Sequence, residues 1–102
     1  MIYVIAAVEA AEGRRDDLLD VFRALVPKVL DEEGCLEYGL AVDLATSFSI
    51  QGEPRKNVVM VVEKWESIEA LEAHLVAPHM IEFRNQVKEM VQGTTLQILE
   101  PA

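Results

Sequence analysis

The stretch VVMVVEKWESIEALEAHLVAPHMIEF, residues 58–83, decides the predicted fold. Its opening residues are rich in valine, are apolar on both faces and are typical of a covered strand. Ser67 is a good N-cap for a short helix over 68–75, and Pro78 suits the first turn of another helix over 79–91. The stretch also holds the one tryptophan and both histidines of the chain, so we expect the polar groups of any reactive pocket here.

Working outward, apolar periodicity and turn residues predict the remaining elements. These are a strand over 2–8, a helix over 16–33, a strand over 35–43, a long loop over 44–56 and a last short strand over 95–99. Pro27 lies inside the helical pattern and is expected to kink that helix, and Gly34 is expected to end it. Alternation in the second strand places Leu36 and Tyr38 on one face.

The order of these elements is β-α-β-β-α-α-β. It predicts one domain over residues 1–102 of the α+β class, with a ferredoxin-like antiparallel sheet and helices on one face. Helices on one face leave the other face open, although strand 58–65 is apolar on both. We therefore expect a homodimer in which two sheets pack together, with strand 95–99 or the loop over 44–56 reaching across.

Composition excludes several classes of partner. Hydrophobic residues make up 51% of the chain, and the net charge is −9. A chain this acidic is unsuited to nucleic acid or an anionic membrane, because phosphate binding needs an excess of Lys and Arg. No apolar run approaches a membrane span, and the N-terminus predicts a strand rather than a signal peptide. The single cysteine, Cys35, allows no internal disulfide, so we expect a cytoplasmic protein.

The segments EEGCLEYGLAVD (32–43) and 58–83 resemble the antibiotic biosynthesis monooxygenase domain family. The shared pattern is a Cys-Leu-x-Tyr strand, then Glu-x-Trp, Ala-Leu-x-x-His-Leu and Pro-His-Met. The resemblance implies a dimeric α+β barrel with a pocket in each subunit between sheet and helices. Members of the family include cofactor-free monooxygenases of polycyclic phenols and quinols, haem-degrading enzymes, an isomerase of a phosphorylated signal metabolite, and many proteins of unknown activity.

Three residues are candidates for catalysis. The family pattern places Trp65 at the pocket, where its ring could stack on a flat aromatic substrate or its N–H could hold a quinol oxygen. The alternative for Trp65 is a core anchor. His74 and His79 are candidate bases, and the helix N-terminus would keep His79 neutral and able to accept a proton. The alternative for both is a structural role.

Four further residues are candidates for substrate binding: Tyr38, Glu63, Phe83 and Arg84. A buried Tyr38 could donate to a substrate oxygen, and Arg84 could stabilise an anion formed on the substrate. Glu63 could be a base, although a structural hydrogen bond is the favoured interpretation because lone buried charges are rare. We expect no metal site, because a proline separates the two histidines and no carboxylate spacing completes a ligand set.

The leading functional hypothesis is oxidation of a small aromatic quinol or phenol by O₂ to a quinone, with no cofactor. A base would take a phenolic proton, and the resulting anion would be electron-rich enough to reduce O₂. The alternatives are an isomerase of a small enolisable metabolite and a non-catalytic dimeric protein that binds a small hydrophobic ligand. Haem degradation is disfavoured, because the first strand lacks the Asn of those relatives and Arg84 stands where they have a helix His.

Overall fold

One antiparallel sheet and three helices make up the chain. The computed structural model describes all 102 residues. In chain order the elements are β1 (Ile2–Ala10), α1 (Arg15–Leu30), β2 (Cys35–Ala41), β3 (Val58–Trp65), α2 (Ile68–Leu75), α3 (Pro78–Gln86) and β4 (Val91–Leu99). The strand order is β2-β3-β1-β4, and each neighbouring pair is antiparallel. This confirms the predicted ferredoxin-like α+β fold.

The core lies between the sheet and its helices. Alternate residues of β1 are buried, among them Val4, Ala6 and Val8, while α1 buries Leu18 and Phe22. These periods of two and about 3.6 residues are those of a half-covered strand and an amphipathic helix. The helix α2 begins at Ile68, where the preceding Ser side chain accepts a hydrogen bond from a backbone N–H of the first turn. The predicted cap is therefore confirmed.

Four details of the sequence prediction are wrong. The helix α1 ends at Leu30 with Asp31 as its C-cap, so Gly34 does not end it. The helix α3 ends at Gln86 and not near residue 91, and β4 starts at Val91 rather than at residue 95. Pairing with β1 over the whole of β4 supplies hydrogen bonds that favour a strand there.

The fourth correction concerns β2. Leu36 is 45% exposed, although alternation placed it on the inward face with Tyr38, which is buried. The cause is a shift of register between Cys35 and Glu37, where β2 pairs with β3. An irregularity of this kind lets one residue leave the alternating pattern, and single-strand periodicity cannot reveal it.

The predicted long loop between β2 and β3 is confirmed. Residues 42–57 contain neither helix nor strand. The Arg55 side chain spans the base of the loop and donates to both carboxylate oxygens of Asp43, at 2.8 and 2.9 Å. Phe48 and Ile50 lie beyond this pair and are 74% and 97% exposed. An ion pair therefore holds the base of the loop, and the apolar side chains at its tip are exposed to solvent.

The sheet face away from the helices, which we call the outer face, carries apolar side chains. It includes Ile5 and Val62, which pair across β1 and β3, and Leu99 at the end of β4. Val62 and Leu99 are 42% and 46% exposed.

None of the helices is long and apolar enough to cross a membrane.

Gly34 joins the end of α1 to α2 through an unusually close approach. Its φ of +84° lies in the left-handed region that favours glycine. A Cβ on this residue would lie 2.6 Å from the Cβ of Ala70, and its carbonyl accepts a hydrogen bond from the backbone N–H of Glu66. The contact holds residues 31–34 against α2.

We expect Gly34→Ala to destabilise the protein by roughly 2–4 kcal/mol, since strain at positive φ adds to a steric clash. Gly13→Ala is the matched control. Gly13 has φ +77°, but a Cβ added to it would meet no atom within 4 Å, so only the strain of about 1 kcal/mol applies there. Urea denaturation measures both. Equal losses in the two variants would show that the approach to Ala70 is unimportant.

Candidate active site

A cavity of about 390 Å³, partly open to solvent, lies between the sheet and the helices. Most of its lining is apolar, and its walls come from all four strands and all three helices. Leu71, Met80 and Phe83 supply part of the helical wall, and Phe83 also packs on Phe22, with ring centroids 4.5 Å apart. The volume falls at the lower end of the roughly 300–1,000 Å³ typical of small-molecule sites.

Three buried polar side chains line this cavity: Tyr38, Glu63 and His74. Each has one polar atom with no hydrogen-bond partner in the chain, namely the phenol oxygen, carboxylate Oε2 and imidazole Nε2. No fully buried side-chain nitrogen or oxygen is left unpaired in the structure, so these three atoms retain some access. The three residues line the cavity, and their unpaired atoms are not fully enclosed by the chain. The atoms are available to a ligand with polar substituents.

Trp65 does not line the cavity, which corrects its expected place in the pocket. The residue has no exposed surface, and its indole N–H donates to Glu63 Oε1 at 2.9 Å. Its ring also packs against the His74 ring, with centroids 4.7 Å apart. Trp65 therefore lies one layer behind the cavity, where it holds two of the residues that line it.

The two histidines meet on one carboxylate that was not among the residues expected from the sequence. His74 Nδ1 lies 2.8 Å from Glu32 Oε2, and His79 Nε2 lies 2.7 Å from the same oxygen. Of the three residues only His74 lines the cavity, so His79 is not placed to touch a ligand there. Glu32 is the first residue of the segment 32–43 that resembles the family. That position was the one feature of the sequence that could have identified Glu32 as a site residue.

Glu32, His74 and His79 together have the donor types of a metal site. The sequence spacing offered no carboxylate for the two histidines, whereas the fold brings Glu32 to them. One donor atom from each of Glu32, His74 and His79 lies within 4.8 Å of the others. The two short contacts have hydrogen-bond lengths and end on one oxygen. Their geometry is therefore that of a carboxylate that accepts from two imidazoles.

Two cationic side chains stand at the cavity. Arg84 lines it and donates to the Leu75 carbonyl at 2.7 Å, and Lys88 lines it one turn further along. Neither lies within 4.0 Å of a carboxylate. Lys88 was not expected at the site from the sequence.

Burial shifts the proton affinities of the lining residues. It raises the pKa of Glu63 to about 7, against the opposing hydrogen bond from Trp65. Burial also raises the pKa of Tyr38, so the phenol stays protonated and can donate. It lowers the pKa of His74, and the hydrogen bond with Glu32 offsets only part of that effect. His74 is therefore neutral and able to accept a proton near pH 7.

Comparison with known proteins gives a consistent result. The family model described as Antibiotic biosynthesis monooxygenase matches residues 1–86. The chain is 43% identical to the Escherichia coli (strain K12) protein named Probable quinol monooxygenase YgiN. The alignment of 103 residues covers 99% of this chain and 98% of that one.

Solved structures have the same fold. PA3566 from Pseudomonas aeruginosa matches with a TM-score of 0.82 and 28% identity, covering 99% of this chain and 93% of that chain. Rv0793 from Mycobacterium tuberculosis matches with a TM-score of 0.81 and 24% identity, covering 99% and 94%. The latter likeness concerns the fold alone.

We expect Glu63→Gln to stabilise the protein more at pH 8 than at pH 5, by about 2–3 kcal/mol. A carboxyl with a raised folded-state pKa binds more protons folded than unfolded. Its contribution is therefore favourable below the unfolded value of 4.5 and is lost as pH rises through about 7. The amide cannot ionise, so it avoids that loss. Thermal melts at the two pH values measure the difference.

The matched control is Glu82→Gln, since Glu82 is exposed on α3. The Glu82→Gln variant should have the same stability as the wild type at each of the two pH values. A Glu63→Gln effect that is the same at pH 5 and pH 8 would contradict burial as the source of the raised pKa.

Proposed function

The chain belongs to the antibiotic biosynthesis monooxygenase family, and on that premise we propose that it oxidises a small aromatic quinol or phenol with O₂ to a quinone. We propose that no cofactor takes part. The observation that carries the proposal is the mainly apolar cavity lined by Tyr38, Glu63 and His74, each of which has one polar atom without a hydrogen-bond partner in the chain. A flat aromatic molecule with hydroxyl substituents matches such a lining, and the curated relative's name refers to a quinol.

His74 is the proposed base. Its Nδ1 is engaged by Glu32, which leaves Nε2 to take a phenolic proton. The phenolate is far more easily oxidised than the phenol, so it can pass one electron to O₂. The substrate radical and superoxide then combine and form a carbon–oxygen bond.

The second half of the reaction loses water. The O–O bond of the peroxide breaks, and one oxygen atom remains on the ring as a carbonyl. The other leaves as water, with the proton held by His74 and the hydrogen of the attacked carbon. Arg84 and Tyr38 both line the cavity; in the proposed reaction Arg84 stabilises the phenolate and Tyr38 donates to a substrate oxygen.

Apolar walls contribute by excluding water. Phe83 and Leu71 face the same cavity as the base. In such surroundings the contact between an anionic substrate and a nearby cation is stronger than in water. A mainly apolar lining also limits proton transfer between the radical pair and solvent.

We expect turnover of a quinol in air and none under argon, measured as O₂ consumption and quinone absorbance. A panel should compare benzene-, naphthalene- and anthracene-type quinols and phenols. His74→Gln should lower kcat by about 10²–10⁴-fold, because the amide removes a base but keeps the approximate size. Glu72→Gln is the control, since that exposed residue lies on the same helix.

Equal turnover in air and in argon would contradict oxygenation. Conversion of an enolisable carbonyl compound under argon would instead support the isomerase alternative. Tight binding of quinols without turnover in air would support the binding protein.

We also propose that the chain functions as a homodimer through the outer face, since this face carries exposed apolar side chains. Light scattering should give twice the 11.4 kDa of one chain. Val62→Glu should give monomers, because a charge would be placed within the apolar contact. Ile68→Glu is the control: Ile68 is 41% exposed, close to the 42% of Val62, but lies on α2. Monomeric wild type at micromolar concentration would contradict the proposal.

A further inference from the structure

Glu32 and His79 do not line the cavity. Glu32 contacts the cavity residue His74 directly, and His79 contacts the same oxygen of Glu32. The three side chains come from separate parts of the chain: the segment after α1, the last turn of α2 and the first turn of α3. Side-chain exposure is 3% for His74, 12% for Glu32 and 23% for His79. The cluster therefore runs from the cavity wall towards solvent. The proposed reaction uses Glu32 only as the partner of His74 Nδ1, and it gives His79 no role.

We propose that Glu32 and His79 are positioning residues that hold His74 as a base with its Nε2 lone pair facing the cavity. The inference rests on the proposed function. A carboxylate oxygen only accepts, so the nitrogen beside it must carry the hydrogen. With that hydrogen on Nδ1 of His74, the neutral ring has its lone pair on Nε2.

Glu32 also stabilises the imidazolium that forms when His74 takes a proton. Burial opposes that charge, and the carboxylate at 2.8 Å is the one anionic partner in direct contact with the ring. The other groups around the ring act differently. Tyr38 on β2 and Trp65 on β3 pack against it as neutral rings, while His79 and Arg84 on α3 disfavour its protonation.

His79 fixes the carboxylate itself. Its Nε2 approaches the same oxygen at 2.7 Å, so a hydrogen there donates a second bond to Glu32. A carboxylate held by two donors from different helices has little freedom to rotate away. This explains why a histidine that does not line the cavity is seated at the start of α3.

The direct test is the tautomer of His74, read from long-range ¹H–¹⁵N NMR of the full-length protein. The wild type should carry the hydrogen on Nδ1, and Glu32→Gln should move a large part of it to Nε2, because the amide N–H can donate to Nδ1. Glu33→Gln, which removes the neighbouring carboxylate, should leave the wild-type tautomer unchanged. Wild-type protein with the hydrogen on Nε2 would overturn the proposal.

Chelator treatment belongs to the same experiment. An unchanged spectrum supports a hydrogen-bonded cluster. A spectrum of His74 that changes when metal is removed would overturn it.

Kinetics supply the functional readout. With the quinol that turns over fastest, Glu32→Gln should lower kcat by at least about 10-fold with little change in KM. The upper limit is the roughly 10⁴-fold loss seen when a comparable orienting carboxylate becomes an amide. The acidic limb of the kcat profile should move to lower pH, since His74 loses its anionic partner. An unchanged kcat and pH profile in correctly folded Glu32→Gln would overturn the proposal.

His79 is tested by a graded pair of variants. His79→Gln retains an N–H donor and should keep more activity than His79→Ala, which leaves Glu32 with one partner. Equal losses in the pair would overturn the role given to the His79 hydrogen bond. If no quinol is turned over by the wild type, the proposed function fails, but the NMR result still decides the arrangement of the cluster.

Discussion

One carboxylate oxygen that accepts from two imidazoles ties the helical layer of this protein together. Glu32 Oε2 is reached by His74 from α2 and by His79 from α3, while Glu32 itself follows α1. The helices α2 and α3 are therefore joined through one oxygen of the segment that follows α1. Gly34 brings the segment carrying Glu32 against α2, because it lacks the Cβ that would meet Ala70. The contact between Glu32 and His74 therefore depends on the close backbone approach at Gly34.

Behind the cavity, Trp65 likewise donates a hydrogen bond to a buried carboxylate. Glu63 is buried on β3, where an ionised carboxylate is costly, and the indole N–H of Trp65 gives it a partner. The same indole packs on the ring of His74. Trp65 thus supports a carboxyl and an imidazole at once, although it touches no cavity space. Two titratable groups with shifts of opposite direction face one apolar volume, a pattern that is enriched at reactive sites.

Much of the fold followed from local signals in the sequence. Valine-rich β3, the Ser67 cap and the prolyl start of α3 are each encoded within a few residues, so their prediction needed no tertiary information. The end of α3 and the start of β4 were misplaced because pairing with β1 outweighs the helical pattern of that region. Leu36 was misplaced because a register shift depends on the partner strand.

Only part of the site could be predicted. Residues on one strand face, such as Tyr38 and Glu63, follow from alternation and do line the cavity. Trp65 was assigned to the pocket by resemblance, whereas the fold places it one layer deeper. Glu32 was missed because its partners lie 42 and 47 positions away, a separation that no local spacing rule covers.

The clasp between Asp43 and Arg55 has an evolutionary consequence. It closes the 42–57 segment on itself near the sheet, and no residue between Asp43 and Arg55 lines the cavity. Lengthening a closed surface segment costs little, since the entropy of closure grows only with the logarithm of its length. The tip around Phe48 can therefore diverge, acquire new side chains or accept inserted peptides while the chemistry beneath the helices is conserved.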